Sequence, residues 1–88
     1  MVKWEIAFSK QAVKDAKKAK AAGLKPRIEE LLAILEQDPF SSPPTFEKLL
    51  GDLEGAYSRR INIHNRLVYQ VFRKERVVRV LRMWTHYK

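Results

Sequence analysis

The 88-residue chain has no cysteine and only three glycines, and of its ten acids a single one, Glu75, falls within residues 59 to 88. Without cysteine there is no disulfide framework, no thiolate nucleophile and no zinc-knuckle spacing. No apolar run approaches the roughly 20 residues that cross a bilayer. The apolar residues from Val2 to Phe8 are interrupted by Lys3 and Glu5, which is not the core of a secretory leader. No repeat is present, and the only biased tract is the Lys/Ala stretch of residues 10 to 22. His64 has no partner at metal-ligand spacing, so neither a metal nor another cofactor is expected. These absences leave a cytoplasmic chain folded as one domain over residues 1 to 88.

What is present is positive charge. Eighteen Lys and Arg against ten acids give a net charge of +8 and a pI near 10.1, a balance that asks for an anionic partner. Nucleic acid ranks first, an acidic protein second and an anionic membrane surface third. The hydrophobic share of 45% argues against disorder. A chain of this size buries a modest core, for which a single sheet with one layer of helices is the economical solution.

The periodicities give the order β-α-α-β-β-β. Val2 to Phe8 alternates, with Trp4, Ile6 and Phe8 on one side, as a half-buried strand does. Ser9 stands where a helix N-cap belongs, and Lys10 to Ala22 follows with a narrow stripe of Ala12, Val13, Ala16 and Ala19 before Gly23 at the C′ position. Pro26 opens a second helix with Ile28, Leu31, Leu32 and Leu35 at three-and-four spacing. Three prolines in residues 38 to 44 make a loop, from which Phe46 to Leu50 emerges, and residues 51 to 55 form a second turn-rich stretch. Strands are expected over residues 57 to 62, 66 to 72 and 77 to 84, and their short connections make them antiparallel neighbours. The expected fold is therefore α+β, an antiparallel sheet with two helices on one face.

The basic residues form two patches. Lys10 to Lys25 holds six lysines and one acid, Asp15, whereas residues 59 to 88 hold nine Lys or Arg. Lys14, Lys17 and Lys18 suit generic phosphate contact or simple solvation, while the planar forks of Arg59, Arg60 and Arg82 suit oriented contact with RNA. In a continuous pleat Arg82, Trp84 and His86 face one way, and aromatic or guanidinium planes are what unstacked bases rest on. Trp84 fits a core position equally well.

Phe46-Glu47-Lys48-Leu49, the run Gly55-Ala56-Tyr57-Ser58-Arg59-Arg60-Ile61, the strand Arg66-Leu67-Val68-Tyr69 and the closing His86-Tyr87, in that order, resemble the YoeB/Txe toxins of the RelE superfamily. The resemblance covers nearly the whole chain. It implies a RelE-like, microbial RNase fold and the toxin of a type II toxin-antitoxin system. That toxin would be a metal-independent endoribonuclease that cuts mRNA in the A site of the bacterial ribosome, inhibits translation and is silenced by an acidic cognate antitoxin. A homodimer is compatible with it. Carried over by position, the general base falls on Glu47, the transition-state arginine on Arg66, the general acid on His86 and the terminal aromatic on Tyr87.

Those types fit metal-free RNA cleavage. The neighbouring 2′-hydroxyl attacks phosphorus, so a base must take its proton, a cation must meet the charge on the nonbridging oxygens and an acid must protonate the leaving 5′-oxygen. Taken singly, each has a plainer reading: Glu47 as a helix N-terminal carboxylate, Arg66 as a cross-strand ion pair, His86 as a frayed terminus. Two rival functions share the basic charge. A gyrase-poisoning, ParE-like toxin of the same fold needs no acid-base pair, and a non-catalytic nucleic-acid-binding domain of helix-turn-helix type needs a paired-helix reading face that neither helix offers.

Overall fold

The computed structural model describes residues 3–42, 45–49 and 55–84. Expectations for Val2, for the prolines at 43 and 44, for the turn residues 51–54 and for His86 and Tyr87 lie outside the described residues. In chain order the elements are β1 (Glu5–Phe8), α1 (Lys10–Ala21), α2 (Lys25–Gln37), β2 (Phe46–Lys48), β3 (Ala56–Arg60), β4 (Arg66–Phe72) and β5 (Val77–Arg82). Local chemistry sets the helix ends. The Ser9 hydroxyl accepts the Ala12 N–H at 3.0 Å as the α1 N-cap, Gly23 takes φ +79° after the helix, and Pro26 sits in the first turn of α2.

Both helices cover one face of the sheet, as the α+β reading requires. Ile28, Leu31 and Leu35 of α2 and Ala12 and Ala19 of α1 pack on Leu67, Tyr69, Val78 and Val80. Each large aliphatic buried here contributes roughly 1.5–3 kcal/mol, so α2 with its leucines holds the layer more firmly than the alanine stripe of α1. The other face carries a small apolar patch of Leu49, Ala56 and Val68, with polar groups around it.

The sheet departs from the expectation in two ways. It has five strands in the order β1-β5-β4-β3-β2 rather than four, because Phe46–Lys48 pairs antiparallel with β3. Three residues are too few to show a period of two. It is also mixed rather than purely antiparallel, since β1 lies parallel to β5 with Ile6 opposite Val78. The antiparallel reversals from β3 to β5 follow from short connections, but the β1 pairing joins strands far apart in the chain, which no local pattern encodes.

Candidate active site on the open face of the sheet

Pleating sorts the functional side chains. In β3, Tyr57 and Arg59 point to the helical face, while Ser58 and Arg60 point to the open one. Across the ladder Glu47 stands opposite Ser58, and Arg60 stands opposite Arg66. The Arg66 guanidinium reaches back over β3, donating from Nη1 to the Ser58 hydroxyl and from Nη2 to Glu47 Oε1, each at 3.3 Å. Glu47 is thus a strand residue and not a helix cap. Its carboxylate is half in water, at 53% exposure against 17% for Arg66. Such an exposed pair is worth at most about 1 kcal/mol, so an incoming phosphate can take over Arg66 at little cost.

A cleft of about 380 Å³ is lined by Arg27, Thr45, Glu47, Arg60 and Arg66. Arg27 comes from α2, where it pairs with Glu30 at 2.7 Å and donates to the Arg60 carbonyl at 3.3 Å. Two arginines directly opposite one another are unfavourable in a bare sheet. Here one acid and three cations share a polar hollow, the electrostatics of an anion site. A second cavity, about 280 Å³ between α1 and α2, is lined by Phe8, Val13, Ala16, Ile28, Leu32 and Met83 with Lys20 and Lys25 at its edge, and has no acid in its lining.

Several residues expected to touch RNA do something else. Arg59 is fully buried: its Nε donates to the Tyr69 hydroxyl at 3.1 Å, its Nη2 to the Pro39 carbonyl at 2.9 Å, and its guanidinium lies 5.0 Å from the centre of the Phe46 ring. The expectation of an RNA contact is corrected, because the pleat turns Arg59 toward the aromatic cluster of Phe40, Phe46, Tyr57 and Tyr69. Burial raises the Tyr69 phenol, although the Arg59 charge opposes it. Arg82 is likewise committed, donating through Nε to Asp15 Oδ2 at 2.8 Å on the helical face. Strand β5 ends there, and a register shift at Val68/Tyr69 breaks the pleat, so Arg82 and Trp84 do not form a continuous base-stacking surface. Trp84 is partly buried against the core, the alternative already open in the sequence.

Lys14, Lys17 and Lys18 are exposed on the helical layer, away from Glu47, and His64 lies in the β3–β4 turn. Among the described residues no group of acids and histidines could hold a metal ion, and no helix is long and apolar enough to cross a membrane. Sequence reasoning missed Arg27, Thr45 and Ser58 as neighbours of the site. Ser58 stands within the motif run and was readable from the pleat, whereas Arg27 and Thr45 left no local signal.

Known proteins share this pattern. The family described as YoeB-like toxin of bacterial type II toxin-antitoxin system matches residues 8–87. A Toxin YoeB of Mycobacterium bovis is 41% identical over 61 residues, 69% of each chain. Toxin YoeB of Streptomyces coelicolor is 48% identical over 44 residues, 50% of this chain, and that match spans about half, 52%, of the relative's own length. Of solved structures, a YoeB-YefM complex and a YoeB dimer from Staphylococcus aureus superpose with TM-scores of 0.80 and 0.81, each at 33% identity over 96% of this chain and 98% of theirs. With the family model spanning residues 8–87 and a relative 41% identical over 69% of the chain, the chain belongs to the YoeB-like toxins of bacterial type II toxin-antitoxin systems.

Proposed function

We propose that this toxin is a metal-independent endoribonuclease that cleaves mRNA in the ribosomal A site and so stops translation. The observation that carries the reading is the contact of Glu47 with Arg66 at 3.3 Å on the open face, opposite Arg60. A scissile phosphate entering the cleft draws Arg66 onto its nonbridging oxygens and frees the carboxylate. Glu47 then takes the proton of the neighbouring 2′-hydroxyl as that oxygen attacks phosphorus. The P–O5′ bond breaks, His86 gives its proton to the leaving oxygen, and the products are a 2′,3′-cyclic phosphate and a 5′-hydroxyl. Tyr87, beside His86, shapes the end of the site. Arg60 steadies a neighbouring phosphate, and the exposed lysines Lys14, Lys17 and Lys18 supply long-range attraction to ribosomal RNA.

The off state comes from a partner. The Staphylococcus aureus relative is known in complex with YefM and also as a dimer. For this chain an acidic antitoxin segment, disordered until bound, covers the Arg60–Arg66 cleft or draws His86 and Tyr87 out of line. A homodimer is a second assembly open to it. Glu47→Gln and His86→Gln should each slow single-turnover cleavage of ribosome-bound mRNA by roughly 10² to 10⁴ while leaving ribosome binding near normal. Full activity in either variant removes that residue from the mechanism.

A further inference from the structure

Among the described residues two charged side chains are completely buried, Asp15 and Arg59. Asp15 accepts from the Gln11 side-chain amide at 3.0 Å, from Arg82 Nε at 2.8 Å and from the Met83 backbone N–H at 3.0 Å, which fastens α1 to the end of β5. Burial pushes its carboxyl up, but the hydrogen bonds from Arg82, Gln11 and the backbone of Met83 and Trp84 outweigh it and hold it below its ordinary value. That contact serves the fold. Arg59 is placed differently, because its partner across the ladder is Phe46, the residue before Glu47.

The Arg59 guanidinium takes part in a closed ring of polar contacts. Nε donates to the Tyr69 hydroxyl at 3.1 Å, Nη2 donates to the Pro39 carbonyl at 2.9 Å, and the Tyr69 hydroxyl donates to the same carbonyl at 3.2 Å. The guanidinium also lies 5.0 Å from the centre of the Phe46 ring, within cation–π reach, and Phe40 and Tyr57 meet that ring edge-on at 6.0 and 5.8 Å. One side chain thus joins β4, the loop after α2 and β2. An aliphatic residue of similar volume would fill the space, but it would take a donor from the Pro39 carbonyl and give the Phe46 ring no fixed place.

Strand β2 depends on such a hold. It is an edge strand of three residues with its ladder partners on β3 alone, and a slip of one residue would turn Glu47 to the helical face. Leu49 pins one end on the open face, where it packs with Ala56 and Val68. Phe46 pins the other from the helical side. Glu47 lies between the two pins, with its carboxylate 3.3 Å from Arg66.

We propose that Arg59 is a positioning residue for the general base: through Phe46 it fixes the register and height of β2, and so the place of the Glu47 carboxylate beside Arg66. The inference rests on the base role given to Glu47 above. Arg59 itself touches no substrate, since it is sealed on the helical side of the sheet.

The test is a double-mutant cycle read by single-turnover cleavage on saturating ribosomes, with Arg59→Lys, Glu47→Gln and the pair together. Lysine keeps the charge and loses the fork, and a misplacement near 1 Å costs up to about 10²-fold, so Arg59→Lys alone should slow cleavage by roughly 10- to 100-fold with half-saturation unchanged. Added to Glu47→Gln it should change the residual rate less than about twofold, since no base remains to be positioned. A loss of folded protein would instead lower the rate equally in both backgrounds. Phe46→Leu removes the ring while leaving the other partners of Arg59 in place, and it carries the same cycle if Arg59→Lys does not fold. Equal fractional losses in both backgrounds, a native rate for Arg59→Lys or Phe46→Leu, or a raised half-saturation without a rate defect would each overturn the proposal. A native rate for Glu47→Gln alone is a different failure: it removes the base itself and is visible before any double mutant is made.

Discussion

Glu47 and Arg66 meet at 3.3 Å with side chains 53% and 17% exposed, whereas Asp15 and Arg82 meet at 2.8 Å around a carboxylate that water does not reach. The pairs share one chemistry and differ in what the surroundings allow. On the open face the partners are only loosely bound, so a phosphate can separate them, and that looseness is what a catalytic base and a transition-state cation need. Under the helices the carboxylate has no competitor and four donors nearby, so it is fixed and can fix others. A carboxylate–arginine contact is therefore not evidence of one role. Exposure decides whether it is a reagent or an anchor.

Truncation separates the two most sharply. Asp15→Ala leaves Arg82 and the Met83 amide without their acceptor and should cost about 3 kcal/mol of stability in urea unfolding, while Glu47→Ala should stay within about 1 kcal/mol. Equal losses would erase the distinction between anchor and reagent. The reverse asymmetry should appear in the chemistry. Arg66→Lys keeps the charge but loses the fork that spans Ser58 and Glu47, and should slow single-turnover cleavage about 10²-fold with a normal unfolding curve. If lysine cleaves at the native rate, Arg66 is an electrostatic anchor and the fork geometry is irrelevant.

Much of this was legible in the chain and some was not. The alternation of Trp4, Ile6 and Phe8 and the spacing of Ile28, Leu31 and Leu35 give the elements correctly, because each depends on neighbours in sequence. Arg59 and Arg60 look identical in sequence, yet one lies under Tyr69 and the other beside Arg66; only the pleat and the ladder partner separate them. Asp15 was lost among six lysines. Its signal was positional, an acid on the same helical stripe as Ala12 and Ala19, which is where an apolar residue belongs. The parallel β1–β5 pairing and the short β2 are fixed by tertiary context, beyond any local period.

Acid sharpens the comparison further. Because the Asp15 carboxyl sits below 3.8 in the fold, the stability it contributes is complete above that pH and is lost as pH falls through the lowered value. Urea unfolding followed downward from neutral pH should show an acid-induced loss in the native chain that is reduced in Asp15→Asn. An unchanged acid limb would mean that other carboxylates carry it. The smallest effect belongs to the outer lysines. Replacing Lys14, Lys17, Lys18 and Lys20 with Gln should weaken ribosome association and flatten its salt dependence without altering the single-turnover rate at saturation. A changed rate at saturation would bring the helical layer into the catalytic geometry.

The central claim is that Glu47 as base and Arg66 as phosphate-binding cation, with His86 as the acid, cleave RNA through its own 2′-hydroxyl, and the ends of the product test it most directly. Purified toxin added to ribosomes programmed with a defined mRNA should yield one cut in the A-site codon, with a 2′,3′-cyclic phosphate on the upstream fragment and a 5′-hydroxyl on the downstream one. The cut should vanish when the nucleotide carrying the attacking hydroxyl is replaced by its 2′-deoxy form. Cleavage that survives the deoxy substitution, or a 5′-phosphate on the downstream fragment, would contradict the account.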